Sequence, residues 1–103
     1  MTELRTAKAA RGVPPLRALV VDDSTTIRRL MDLTLSPLGI DVEFADRGEE
    51  ALAQVQRNRY DIVFLDIMLP GIDGYRVCKQ IKAEKNTRNI PVVMLTSKGT
   101  AFD

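Results

Sequence analysis

Three apolar runs in this chain end in residues that could do chemistry. Leu19-Val20-Val21 runs into Asp22-Asp23, Ile62-Val63-Phe64-Leu65 into Asp66, and Val92-Val93-Met94-Leu95 into Thr96. Continuous Val, Ile and Leu, rather than apolar–polar alternation, marks parallel strands covered on both faces. In open α/β sheets the binding crevice lies outside the carboxyl ends of the strands. If the three runs are neighbours, three carboxylates and a hydroxyl converge on one rim. Like charges that close need a counterion, and a hard divalent cation with oxygen ligands is the natural one. A carboxylate is also a ready nucleophile at neutral pH and needs no general base.

Composition narrows the alternatives. The 103 residues make one domain at most, and an apolar fraction of 45% suits a packed core. Histidine is absent, which removes histidine bases, Ser-His-Asp and Cys-His systems, histidine metal sites and phosphohistidine on this chain. A net charge of +1 gives no reason to expect nucleic acid or an anionic membrane as partner. No apolar stretch is long enough to span a bilayer, and the N-terminus lacks the apolar segment of a secretory signal. Cys78 is the only cysteine, so no intramolecular disulfide can form, which fits a cytoplasmic location.

The elements that would position the rim follow in order. Met1–Pro15 reads as a flexible tail punctuated by Gly12, Pro14 and Pro15. Arg17–Val21 is a strand, and Asp22, Asp23 and Ser24, all good capping types, lead into a helix. Ile27, Leu30, Met31, Thr34 and Leu38 give that helix one apolar face, and Pro37 and Gly39 end it. Val42–Ala45 is a weaker, edge-type strand. Glu49 and Glu50 open a second helix with Ala51, Leu52 and Val55 buried and Asn58 as terminator. Ile62–Asp66 is the central strand, and Met68 to Gly74 is a loop rich in turn residues. Gly74, Val77, Cys78 and Ile81 set a third helix to about Lys85, and Pro91 opens the last strand. This alternation predicts an α/β fold with a doubly wound parallel sheet.

Three motifs then resemble one family in order and spacing. Val20-Val21-Asp22-Asp23-Ser24, Asp66-Ile67-Met68-Leu69-Pro70-Gly71-Ile72-Asp73-Gly74 and Met94-Leu95-Thr96-Ser97 are similar to the receiver domain of two-component response regulators. The resemblance runs from about Leu16 to Asp103. It implies a flavodoxin-like sheet of strand order 2-1-3-4. It implies that Asp66 accepts a phosphoryl group from a histidine kinase or phosphotransfer protein. It implies Mg²⁺ held by Asp22, Asp23, Asp66 and the backbone carbonyl of Met68, with Thr96 as the switch hydroxyl. Lys98 occupies a position that tunes dephosphorylation in the family. A looser similarity points to single-domain regulators of twitching motility and chemotaxis-like systems.

The chain also departs from that family. A receiver continues through a fourth helix, a fifth strand bearing a lysine, and a fifth helix, none of which follows Thr96 here. The expected division is therefore a tail over 1–15 and an incomplete receiver domain over 16–103. Without the lysine, phosphorylation is expected to be slow or undetectable. The Val92–Leu95 edge is left open to self-association. Two rivals differ in kind. One is a phosphatase or phosphotransferase of the haloacid-dehalogenase manner, which usually carries an Asp two residues after the nucleophile, where this chain has Met68. The other is a receiver-like interaction module that is not phosphorylated, or a fragment of a larger regulator with an appended output domain.

Overall fold

The structure, a computed structural model, describes residues 14–95. β1 (Arg17–Val21), α1 (Thr25–Leu35), a 3-10 turn (Ser36–Leu38), β2 (Asp41–Ala45), α2 (Gly48–Arg57), β3 (Ile62–Asp66), α3 (Gly74–Ala83) and β4 (Val92–Leu95) follow one another. The four strands form one parallel sheet in the order β2-β1-β3-β4. This is the doubly wound, flavodoxin-like arrangement that the sequence pattern predicts, with β2 at an edge. β1 and β3 lie in the middle, which is why their runs are apolar without alternation. Ala18, Leu19, Val20 and Val21 are all 0% exposed.

Strand alternation divides the side chains between two faces. Leu19, Val21, Ala45, Val63 and Leu65 pack with Ala51 and Val55 of α2 and with Val77 and Ile81 of α3 into the main core. Each such side chain contributes about 1.5–3 kcal/mol on burial. Val20, Phe44, Phe64 and Val93 belong to the other face, which α1 covers in part. Arg28 of α1 stacks over the Phe44 ring at 4.9 Å and pairs with Asp46.

The structure corrects two expectations. In α1 the row Ile27–Met31–Leu35 is the more buried one, while Leu30 and Leu38 are 55% and 54% exposed and Thr34 is exposed too. Periodicity finds an apolar stripe but not the neighbour that would cover it. α3 ends at Ala83 rather than near Lys85, because Glu84 turns to extended backbone (φ −88, ψ 136). Lys82 then donates to the carbonyls of Arg88 and Ile90, bracing the turn that leads to β4.

The amino end of the sheet carries a polar network that sequence reading missed. Glu43 accepts from Tyr60 Oη at 2.7 Å and is ion-paired with Arg17, whose guanidinium lies 5.3 Å from the Tyr60 ring centroid. The Tyr60 hydroxyl and Arg17 together hold the Glu43 carboxyl below the usual carboxylate range. Burial, then the bond to Glu43, pushes the Tyr60 phenol up. Asp61 Oδ2 accepts the Arg17 backbone N–H at 2.8 Å, tying the start of β3 to β1. Most of the expected tail, residues 1–13, lies outside the described residues.

Candidate functional site

The carboxyl ends of β1 and β3 bring three acids together. Asp22 and Asp66 are buried, at 3% and 1% exposure, and Asp23 is exposed beside them. One carboxylate oxygen from each lies within 4.8 Å of the others. Two full like charges at that separation repel by about 3 kcal/mol at the effective dielectric of a protein surface. Burial adds a desolvation cost. A cluster of oxygen donors with these properties fits a hard divalent cation.

Local backbone geometry aims the two buried carboxylates. The Ser24 N–H donates to Asp22 Oδ1 at 2.8 Å, and the Met68 N–H donates to Asp66 Oδ1 at 3.2 Å. In both cases the amide two residues on holds one carboxylate oxygen, the local bond that Asp favours at turns. Helix capping falls to Ser24, whose Oγ accepts from the Ile27 N–H at 3.3 Å. Neither Asp22 nor Asp23 is the cap of α1. The Asp22 N–H in turn donates to the Ala45 carbonyl at 3.0 Å, so β2 fixes the height of the rim.

Gly74 is more than a turn former. It opens α3, and its N–H donates to the Ile67 carbonyl at 2.9 Å. A Cβ there would lie 2.9 Å from Ile67 Cα and would collide with the Asp66 carbonyl oxygen. Only glycine lets the helix start directly against the backbone of Asp66. Asp73 caps the same helix by accepting from the Arg76 N–H at 2.9 Å. Gly71, at φ 76, supplies the left-handed turn before it.

The remaining site residues divide. Met68 sits two residues past Asp66 in the connecting loop, 62% exposed. Leu95 is the register partner of Asp66, and its carbonyl accepts from the Ile67 N–H at 3.2 Å, so β4 ends beside the rim. Thr96, next in the chain, and Lys98 lie outside the described residues.

A parallel sheet in the order 2-1-3-4 with three acids at its carboxyl rim defines a receiver-type α/β domain. A family model for the response regulator receiver domain matches residues 18–103, and the chain belongs to that family. Protein PilG of Pseudomonas aeruginosa is 43% identical over 88 residues, which cover 85% of this chain and 65% of PilG. The transcriptional regulatory protein ResD of Bacillus subtilis is 43% identical over 83 residues, 81% of this chain and 33% of ResD. Among solved structures, response regulator protein TrrA of Thermotoga maritima, in complex with Mg²⁺–BeF, aligns with TM-score 0.75 and 38% identity. That alignment covers 82% of this chain and 71% of TrrA. This chain thus spans just under two thirds of PilG and about a third of ResD.

Proposed function

We propose that this chain is a phosphoacceptor: Asp66 receives a phosphoryl group from the phosphohistidine of a histidine kinase or phosphotransfer protein. The observation that carries this is the trio Asp22, Asp23 and Asp66, with ligand oxygens within 4.8 Å of one another, in a member of the receiver family. Asp22, Asp23, Asp66 and the Met68 carbonyl would hold Mg²⁺. The ion would offset the repulsion between carboxylate and phosphoryl oxygens and polarise the transferring group. TrrA, seen with Mg²⁺–BeF, supports the same binding here.

The chain's own residues do the rest by positioning, which is most of what phosphoryl transfer asks of a protein. An Asp66 carboxylate oxygen attacks phosphorus, the P–N bond breaks, and its electron pair stays on the donor imidazole. The Met68 N–H on Oδ1 holds the carboxylate in orientation. Thr96 would carry the change of state outward by moving its hydroxyl toward the new phosphoryl group.

The same reading places the domain at 16–103 behind a tail, and the protein in the cytoplasm. Among the described residues no helix is long and apolar enough to cross a membrane. It also includes self-association through the Val92–Leu95 edge, since among the described residues β4 pairs with β3 alone. Sedimentation at rising concentration tests that edge, and a strictly monomeric chain would reject it. A small-molecule phosphodonor with Mg²⁺ tests the main claim. A receiver holds one labile acyl phosphate, an enzyme turns the donor over many times, and an interaction module does neither.

A further inference from the structure

At the opposite end of the sheet from Asp66 lies a cleft of about 490 Å³, between the end of α2 and the connection that leads into β4. Five residues of β3 separate the two ends, roughly 16 Å. The volume is in the range of small-molecule sites. Arg57 and Arg59 stand on its wall, and the only acid lining it is Asp61. Asp61 Oδ2 already accepts the Arg17 N–H. Among the described residues the ion pairs are Arg17–Glu43 and Arg28–Asp46, so neither Arg57 nor Arg59 is neutralised by one. Asn58, Asn86 and Asn89 add carboxamides, groups that donate and accept together. Asn86 donates to Gln56 Oε1 at 3.4 Å, which bridges the two walls.

We infer that this cleft is a second binding site, for a small organic phosphate of mononucleotide size. The phosphate would face Arg57 and Arg59, whose planar forks suit it. The asparagine amides would pair with the polar edge of the rest of the molecule. The negative dipole end of α2 points here and opposes an anion, so both arginines are needed. The site lies far from the acidic rim, where an anion without a metal would be repelled.

Backbone NMR of the full chain in EDTA tests this, with adenosine 5′-monophosphate, adenosine and inorganic phosphate as probes. The monophosphate is expected to shift amides over 56–61 and 86–91 and to bind at least about tenfold tighter than either other probe. The double variant Arg57→Gln/Arg59→Gln should lose about tenfold in affinity, and Asp66→Asn none. Both arginines are exposed, so the double variant should keep its fold and its phosphorylation at Asp66. Shifts confined to the Asp22, Asp23 and Asp66 rim would overturn the site. So would unchanged affinity in the double variant, inorganic phosphate binding as well as the monophosphate, or no shift at millimolar ligand.

Discussion

The two ends of the sheet treat charge in opposite ways. At the amino end Glu43 meets Arg17 and the Tyr60 hydroxyl, so each polar group has a partner of complementary kind within the chain. At the carboxyl end the same strands bring Asp22, Asp23 and Asp66 together with like sign, two of them buried. The first arrangement holds β1, β2 and α2 in place. The second is costly to the fold and makes sense as a site for a cation and for chemistry. An ionisable cluster is therefore best judged by the signs of the charges that the strands gather into it.

The largest expected effect is at the carboxyl end, and it is steric. Gly74→Ala should cost about 3 kcal/mol, because the added carbon meets backbone that cannot give way. Urea unfolding measures it, and a loss under about 1 kcal/mol would show that α3 can retreat from Asp66.

Next comes a change of sign. Asp66→Asn should stabilise the metal-free protein, because it removes one of three like charges within 4.8 Å of one another. Asp23→Asn should weaken Mg²⁺ by at least about tenfold, and Asp61→Asn should leave it unchanged. Destabilisation by Asp66→Asn, or equal Mg²⁺ affinity in the Asp23 and Asp61 variants, would erase the contrast between the two ends.

At the amino end removal should only destabilise. Tyr60→Phe leaves the ring packed and deletes the bond to Glu43, so about 1 kcal/mol should be lost. The smallest effect is in pH. The lowered Glu43 pKa gives stability that is present above the ordinary carboxylate range and lost as pH falls through its folded value. Both Arg17 and Glu43 side chains are about a third exposed, 34% and 37%, so screening keeps this small. The raised Tyr60 pKa gives stability that is present below the ordinary tyrosine value and lost as pH climbs through the folded one. Melts of wild type and Tyr60→Phe should converge toward acid pH, and at alkaline pH wild type should lose its advantage and fall to or below the variant. Parallel curves would show that the pair does not couple to folding.

The carboxyl end was legible in sequence and the amino end was not. β1 and β3 announce themselves because burial on both faces leaves no polar position until Asp22 and Asp66, and the acids follow directly. Arg17, Glu43 and Tyr60 are scattered through the chain and meet only through the register that pairs Leu19 with Glu43 and Ala18 with Ile62. Nothing local marks them. Gly74 looked like a turn residue because a close approach to Asp66 is a tertiary fact. The exposure of Leu30 and Leu38 was unreadable for the same reason.

The most direct measurement of the central claim is to map the phosphoryl group. The chain is incubated with Mg²⁺ and a small-molecule phosphodonor, and the modified residue is located by peptide mass spectrometry. The expected result is one phosphoryl group on Asp66, removed by alkali and hydroxylamine, absent without Mg²⁺ and absent from Asp66→Asn. A label that survives in Asp66→Asn, or one that resists alkali, would contradict it and place the chemistry on a hydroxyl instead.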